Sequence, residues 1–252
     1  MELKHIVSYL DSYLALADYS DDSLNGLQVE NGGGVTKIGL AVDACQEAIS
    51  RAKDAGCDLL IVHHGLLWGK QQPLVYHYFE RIRSLIMGGM ALYAAHLPLD
   101  GHPEVGHNVE IARTVGLQSI EPFAQHFGRP LGVKGRLLKP QSCQEASHTI
   151  NEVIGGCSAF FTCGPSMVSS IAVVSGSATL PELLWELKRQ GIDLFITGEP
   201  RHGAYYLARE LGLNIFYGGH YQTETFGMKA LGKHLEEKLG IPGEFIDAPC
   251  RV

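Results

Sequence analysis

An α/β fold with two similar lobes is predicted by two features of the sequence. Short apolar runs alternate with amphipathic patterns of about ten residues, as in sheets whose parallel strands are joined by helices. The same order of strand motifs also occurs twice along the chain, which indicates an internal duplication. With 252 residues, the chain is long enough for two lobes of this kind.

The first half of the chain reads as a helix followed by strand–helix units. Apolar residues at helical spacing predict a helix over residues 3–16, and the Asn25-Gly26 turn precedes a short extended run at 27–29. Apolar runs predict strands at 38–42, 58–62 and 91–95. Helical patterns follow these strands at 45–55, 76–87 and 108–115.

Residues 123–140 break this rhythm, because they contain two prolines and no acidic residue. Their four basic residues are Arg129, Lys134, Arg136 and Lys139. We place a lobe boundary at the start of this stretch, which gives a first lobe of residues 1–125 and a second of 126–252. A solvated connection with one strand is favoured over an anion-binding patch.

The second half repeats the strand motifs of the first. Residues 56–64 (GCDLLIVHH) align with 191–199 (GIDLFITGE), and residues 92–96 (LYAAH) align with 215–220 (IFYGGH) with one residue of slack. Four residues beyond the last histidine of each second motif lies an acid, Asp100 or Glu224. Upstream, 38–42 corresponds to 171–175, and a helix over 143–153 corresponds loosely to the N-terminal helix.

Composition and charge exclude several classes of protein. Hydrophobic residues make up 45% of the chain and charged residues 19%, which is globular composition without an apolar run that could span a membrane. A net charge of -7 argues against a nucleic-acid backbone as the main partner. The N-terminus reads as an amphipathic helix and not as a signal peptide. Six cysteines without a CxxC pair then suggest reduced thiols in a cytoplasmic protein.

Histidine and acidic side chains follow three of the predicted strands. In an open α/β sheet, ligands bind beyond the carboxyl ends of the strands. If the two lobes pack about a pseudo-two-fold axis, these strand ends face one cleft, and the sequence predicts a metal site there. The side chains are His63 and His64 after the strand at 58–62, His96 and Asp100 after the strand at 91–95, and His220 and Glu224 after a strand at 214–217.

These ligand types favour zinc, iron or manganese over copper(I) or an iron–sulfur cluster. Three imidazoles and two carboxylates exceed the needs of one catalytic zinc ion and suit two ions about 3.5–4 Å apart. Adjacent histidines in extended backbone point to opposite faces, so His63 and His64 both bind only where the strand ends or the ions are offset. His96 is either a ligand or a residue that orients Asp100, and the second role is favoured.

Five ordered motifs between Asn25 and Glu224 carry a family resemblance. They are Asn25-Gly26-Leu27-Gln28-Val29, Ile61-Val62-His63-His64-Gly65, His96-Leu97-Pro98-Leu99-Asp100, Ile196-Thr197-Gly198-Glu199 and His220-Tyr221-Gln222-Thr223-Glu224. Together they resemble the Nif-three-like dinuclear-metal family, whose members are often labelled GTP cyclohydrolase I type 2 homologues. The chain lacks the long central insertion that some relatives carry.

The resemblance implies a two-lobed α/β subunit, a ring-shaped hexamer of identical chains and two divalent ions per subunit. The ligands that it implies are His63, His64, Asp100, His220 and Glu224, with Glu224 bridging the ions. In this pattern His64 and Asp100 hold one ion, while His63 and His220 hold the other. The family label does not settle the reaction.

Several other residues near these motifs have two interpretations. Glu199 aligns with the His63-His64 pair across the repeat, so it is either a general base in the same cleft or an acid at a helix N-terminus. His202 lies close to it in the sequence, and either Glu199 or His202 is a candidate for the acid that protonates a leaving group. His102 and His107 read as solvated loop histidines, and Trp68 as a packing residue more than as a wall of the pocket.

Two classes of function fit the sequence. The favoured one is a metal-dependent hydrolase, which opens a nucleotide ring in the manner of a GTP cyclohydrolase or cleaves a phosphoester. No phosphate-binding glycine motif is present for a triphosphate, only the basic stretch 129–139. The alternative is a non-catalytic ring whose metal ions fasten the lobes together and whose surface binds partners. Three contacts per ion leave open positions, which favours catalysis.

Overall fold

The computed structural model describes residues 1–70 and 72–250, and the chain forms two compact units. The first comprises Met1–Leu99 with Met228–Pro249, and the second consists mainly of Asp100–Gly227. Each unit contains its own β-sheet with helices. The predicted α/β class is therefore confirmed, and strands and helices are numbered here along the whole chain.

The first unit is built on a mostly parallel sheet with helices. Its strands are β1 (Gly26–Val29), β2 (Ile38–Asp43), β3 (Leu59–His64), β4 (Ala91–Ala94) and β11 (Gly243–Phe245). Its helices are α1 (Leu3–Tyr13), a short 3-10 helix (Leu16–Asp18), α2 (Gln46–Asp54) and α3 (Tyr76–Gly88). The chain passes between the units within α4 (Leu97–Asp100) and α10 (Thr225–Leu239).

The strand order of the first sheet, across the residues described, is β1-β4-β3-β2-β11. Strands β4, β3, β2 and β11 run parallel to one another, and β1 pairs with the outer edge of β4 in the antiparallel direction. Every residue from Leu59 to Val62 is fully buried, as expected for a strand that is covered on both faces. This burial explains why β3 appears in the sequence as a continuous apolar run.

The second unit has a larger sheet. Its strands are β5 (Gln118–His126), β6 (Arg129–Ser142), β7 (Ala159–Thr162), β8 (Met167–Val173), β9 (Leu194–Thr197) and β10 (Asn214–Tyr217). Its helices are α5 (His107–Val115), α6 (Cys143–Ile154), α7 (Pro181–Arg189), α8 (His202–Leu211) and α9 (His220–Thr223). The strand order of this sheet, within the described ranges, is β5-β6-β8-β9-β10-β7. Helix α6 begins at a capping box in which Ser142 and Glu145 satisfy each other's backbone N–H groups.

The two sheets share a four-strand pattern, which supports the predicted duplication. In the first sheet β2, β3 and β4 are parallel and an antiparallel β1 closes the edge. In the second, β8, β9 and β10 are parallel and an antiparallel β7 closes the edge. A helix precedes the antiparallel strand in both cases, α1 before β1 and α6 before β7.

An aspartate just before the second parallel strand of each half strengthens this match. Asp58 Oδ2 accepts hydrogen bonds from Thr36 N (2.7 Å), Thr36 Oγ1 (2.7 Å) and Lys37 N (3.2 Å). Asp193 Oδ2 accepts from Ser169 N (2.9 Å), Ser170 N (2.9 Å) and Ser170 Oγ (3.1 Å). Each carboxylate thereby ties its own strand to the start of the neighbouring strand.

The bounds of the units differ from the predicted lobes 1–125 and 126–252. Residues 100–125 belong to the second unit and residues 228–249 to the first. The predicted boundary lies at the end of β5, which pairs with β6 along a long antiparallel hairpin. Residues 123–140 are therefore part of a sheet and not a connection with one strand. Pairing of β11 with β2 explains why the C-terminal part returns to the first unit.

Two further expectations concern membranes and cysteines. Within the described residues, no helix has both the length and the apolar character needed to cross a membrane. All six cysteines lie in the described ranges and none forms a disulfide there.

Candidate functional site

Three histidines lie together in the first unit, at the carboxyl ends of β3 and β4. The possible ligand atoms of His63, His64 and His96 all lie within 4.8 Å of one another. The ring centroids of His63 and His64 are 4.7 Å apart. Because β3 ends at His64, the adjacent histidines are not forced to opposite faces.

Each of these rings is held through its Nδ1 atom. His63 Nδ1 lies 2.9 Å from Ala95 O, and His64 Nδ1 lies 2.9 Å from Asp43 Oδ1. His96 Nδ1 lies 2.9 Å from Asp21 Oδ1. When Nδ1 donates to these acceptors, the neutral ring carries its lone pair on Nε2, which is the atom that a metal ion takes.

The Asn25–Val29 motif supports the loops that carry these histidines. Asn25 Oδ1 accepts a hydrogen bond from His96 N at 2.7 Å. Gln28 Oε1 accepts from Leu66 N at 2.7 Å, in the loop after His64. A Cβ on Gly65 would lie 2.5 Å from Gln28 Nε2 and 2.7 Å from the Cβ of Ala94, so a larger residue there would displace the Gln28 side chain. The motif is thus more than a turn, since it fixes both loops.

Trp68 packs against this histidine group. Its ring centroid lies 5.0 Å from that of His96 and 6.3 Å from that of His64. The indole N–H donates to Gly65 O at 2.9 Å. These contacts agree with the packing role expected from the sequence.

In the second unit, His220 lies between two carboxylates. Its Nε2 is 3.1 Å from Glu224 Oε1, and its Nδ1 is 3.0 Å from Glu199 Oε2. His220 and Glu224 follow β10, and Glu199 follows the neighbouring strand β9. Hydrogen bonding to Glu224, assisted by Glu199 and opposed by burial, raises the pKa of His220 to about 9.

Glycines after β8 and β9 make room for this pair. A Cβ on Gly176 would lie 2.5 Å from Glu224 Oε1 and 3.3 Å from His220 Nε2. A Cβ on Gly198 would lie 2.8 Å from the Cα of His220. The Thr223 hydroxyl accepts from Gly176 N at 3.2 Å, which fixes the loop against α9.

Asp100 contacts the Ser175-Gly176 loop, which follows β8 in the second unit. Ser175 Oγ donates to Asp100 Oδ1 at 3.1 Å, and Ser175 is next to Gly176. Asn108 links Ser175 to Asp100, because its Oδ1 accepts from Ser175 N at 2.6 Å and its Nδ2 donates to Asp100 O at 3.2 Å. The Ser175-Gly176 loop therefore contacts both acidic residues predicted as ligands, Asp100 and Glu224.

The remaining predicted residues have other positions. His202 is exposed at the start of α8, and in the described part of the chain no hydrogen bond or ion pair joins it to Glu199. His102 and His107 are buried, so their expected solvation is wrong. His102 Nδ1 accepts from Glu104 N and Val105 N at 3.2 Å. His107 Nδ1 accepts from Gly227 N at 3.0 Å.

Sequence reasoning missed the residues that orient the histidines. Asp43 is the last residue of β2 and lies opposite His64 in the sheet register, so an acid at a strand end was an available signal. Asp21 lies in an irregular segment before β1, and no spacing rule links it to His96. Ser175 follows β8 without a motif of its own.

The donor set fits a divalent metal ion. Imidazoles with Nδ1 hydrogen-bonded to carboxylates are the arrangement in which a second partner orients a metal-binding histidine. Buried histidine and acidic groups of this kind could hold such an ion. These features define an α/β protein of two sheets with candidate metal-binding side chains at the carboxyl ends of its parallel strands.

The chain belongs to the Duf34/NIF3 (NGG1p interacting factor 3) family, whose model matches residues 1–248. It is similar to the "GTP cyclohydrolase 1 type 2 homolog" of Archaeoglobus fulgidus, with 41% identity over the full length of both chains. The protein of the same name from Deinococcus radiodurans is 37% identical, over 97% of this chain and 92% of its own length.

Two solved structures have the same fold over the whole of both chains. That of TTHA1606 from Thermus thermophilus has a TM-score of 0.91 at 42% identity. That of the protein ybgI, described as of unknown function, has a TM-score of 0.93 at 32% identity.

Proposed function

We propose that this protein binds two divalent metal ions and is a metal-dependent hydrolase. The proposed ligands are His63, His64, Asp100, His220 and Glu224, with Glu224 bridging. Zinc, iron and manganese all suit this set of imidazoles and carboxylates.

One observation above all supports the proposal. In each unit, a histidine at the carboxyl end of one parallel strand is hydrogen-bonded through Nδ1 to a carboxylate at the carboxyl end of the neighbouring strand. The pairs are His64 with Asp43 at 2.9 Å and His220 with Glu199 at 3.0 Å. A carboxylate on Nδ1 raises the basicity of the ring and fixes its orientation for a metal.

Bound ions of this type would act as Lewis acids and lower the pKa of a water molecule toward neutrality. The chain's own residues then have separate tasks. Glu199 holds the ring of His220, and this contact favours a positioning role over that of a general base. His202 is the candidate for proton transfer to a leaving group, since its exposed imidazole can exchange protons with solvent.

The relatives' name suggests opening of a purine nucleotide ring, and phosphoester hydrolysis fits the same ligands. A nucleotide triphosphate needs basic side chains. On β6, however, Lys134 lies 3.5 Å from Glu121, and Arg136 donates to Ser169. Phosphoester hydrolysis requires less machinery, so an activity assay has to include both substrate classes.

Metal content of the purified protein tests the proposal. We expect about two divalent ions per chain in the parent protein and a marked loss in Glu224→Ala. Because Glu224 is buried, Glu224→Gln provides a variant of the same shape. Glu210→Ala, which removes an exposed carboxylate on α8, is the control and should keep the parent content.

The same preparations are then assayed with GTP and with model phosphoesters. Hydrolysis that requires added metal and is lost in Glu224→Gln would support the enzyme. A chain that holds its ions but hydrolyses neither class would favour the non-catalytic ring. Absence of stoichiometric metal in protein purified without chelator would contradict the proposal. We also propose that the chain forms a homo-oligomer, with a hexameric ring as the expected form.

A further inference from the structure

A buried carboxylate of the first unit, Asp21, has no part in the proposed ligand set. Its side chain is 3% exposed. Oδ1 accepts from Ser23 N at 3.0 Å and from His96 Nδ1 at 2.9 Å. Oδ2 accepts from Asn25 Nδ2 at 2.8 Å and from Leu97 N at 3.1 Å. Burial alone would raise the pKa of Asp21, but the interaction with His96 and the other hydrogen bonds hold that pKa well below its usual value.

These contacts fix the ring and the backbone of His96 at once. Asp21 holds the imidazole and the N–H of Leu97, while Asn25 accepts the N–H of His96. Asn25 is in turn held by Asp21.

The ring held in this way lies beside two proposed ligands. The centroid of His96 is 5.0 Å from that of His63 and 5.7 Å from that of His64. The possible ligand atoms of all three lie within 4.8 Å of one another. When Nδ1 donates to Asp21, the lone pair of His96 is on Nε2.

We propose that His96 is a further metal ligand and that Asp21 is the residue that positions it. The inference rests on the proposed metal-binding function and revises the role of His96, which was expected to orient Asp100. Three imidazoles then come from the first unit alone.

Metal affinity of the full chain is the first test, with Zn²⁺ and Mn²⁺ as probes in calorimetric titrations. We expect Asp21→Asn to bind the metal about 10–100-fold more weakly than the parent. Both oxygens of Asp21 accept from N–H donors, so an amide NH₂ in either place faces a donor. His96→Ala should lose at least as much affinity, and His96→Gln checks that the loss does not come from an unfilled space.

Asp22→Asn is the matched control, because Asp22 is the exposed neighbour of Asp21. It should bind metal as the parent does. Thermal melts of the metal-free variants show whether each chain folds.

A second readout separates positioning from support of the loop. In ¹⁵N NMR spectra of the metal-free protein, the ring of His96 should carry its proton on Nδ1 in the parent and in Asp22→Asn. In Asp21→Asn we expect a mixture of the two tautomers. An effect of Asp21 on the stability of the loop alone would not change the tautomer.

The outcomes distinguish this inference from the proposed function. If the parent binds metal and both Asp21→Asn and His96→Ala bind it equally well, the inference is wrong and the function stands. If only His96→Ala loses affinity, or if Asp21→Asn leaves the tautomer unchanged, Asp21 is not a positioning residue. If the parent itself binds no divalent ion, the proposed function is wrong, and the parent titration alone shows it.

Discussion

Each candidate ligand histidine is held by a specific acceptor. His64, His96 and His220 use a carboxylate, and His63 uses the carbonyl of Ala95. An imidazole that is fixed through Nδ1 loses less rotational freedom when a metal binds, so the orientation is established during folding. This favours metal binding over a merely structural use of the rings.

The space occupied by the Glu224 carboxylate depends on the absence of a side chain at Gly176. Gly176 has φ +64° and faces Glu224 Oε1. In Gly176→Ala, we expect a loss of unfolding free energy of roughly 1–3 kcal/mol beyond the cost of the backbone conformation, because the new Cβ meets a buried group. We also expect weaker metal binding. Urea unfolding and metal titration measure the two effects.

Gly191→Ala is the control for this substitution. Gly191 has a similar φ of +68°, and a Cβ there would have nothing within 4 Å. It should cost only the strain of the left-handed conformation, about 1–2 kcal/mol, and leave metal binding unchanged. Equal effects of the two substitutions on both measurements would contradict a steric role for Gly176.

At the scale of elements, Asp58 in the first half and Asp193 in the second each hold the neighbouring strand through its backbone N–H groups. Hydrogen bonds from Thr36 and Lys37 lower the pKa of Asp58 although burial opposes them. For Asp58→Asn we expect a loss of about 1–2 kcal/mol in unfolding free energy at pH 7, measured by urea unfolding. Asp54→Asn, at the exposed end of α2, should be neutral.

The pH dependence of this effect has a definite sign. Because the folded pKa of Asp58 lies below the unfolded value of about 3.9, its contribution is present above that pH and is lost as the pH falls through the folded pKa. The difference between parent and Asp58→Asn should therefore shrink below about pH 4. A difference that stays constant down to about pH 2 would show that the charge of Asp58 is not what stabilises the strand start.

The strands that could be predicted from the sequence are those with continuous apolar runs. β2, β3, β4 and β10 lie within one or two residues of the expected positions, because burial on both faces makes most of each strand a continuous apolar run. The β5–β6 hairpin was missed, since many of its residues face solvent and its basic side chains resemble a loop. Helix α7 was also missed, although Pro181 at its start and Lys188 and Arg189 in its last turn are signals of a helix.

For the candidate site, the histidines and acids were predicted from the sequence, but the residues that hydrogen-bond to them and orient them were not. His63 and His64 are visible because they end an apolar run, and His220 and Glu224 because their motif repeats. Asp21 is 75 positions from His96, so only the folded chain shows that they meet. The same holds for the bond from Ser175 to Asp100.

At the scale of the whole molecule, duplication explains why both units carry histidine or carboxylate side chains at the corresponding edge of their sheets. Parallel strands β2–β4 and β8–β10 present their carboxyl ends to one edge each. Candidate ligands lie at the carboxyl end of β3 and just after β4 in one unit, and just after β10 in the other. Divergence of the two halves then gives the first unit imidazoles and the second an imidazole with carboxylates.

The surface of each unit gives a prediction about assembly. On α3, Tyr76, Ile86 and Met87 are 85%, 60% and 78% exposed. In the second unit, Trp185 and Tyr206 are 50% and 61% exposed. Large exposed apolar side chains in groups are typical of surfaces that pack against other chains. These side chains favour a homo-oligomer but do not give its size. For the hexamer proposed above, we expect light scattering to give a mass of about six chains of 27.4 kDa, and Met87→Asp to reduce it if α3 forms a contact. The control is His77→Asp, because His77 is an exposed polar residue on the same helix, and this variant should keep the parent mass. A parent mass of one chain at micromolar concentration would contradict the homo-oligomer.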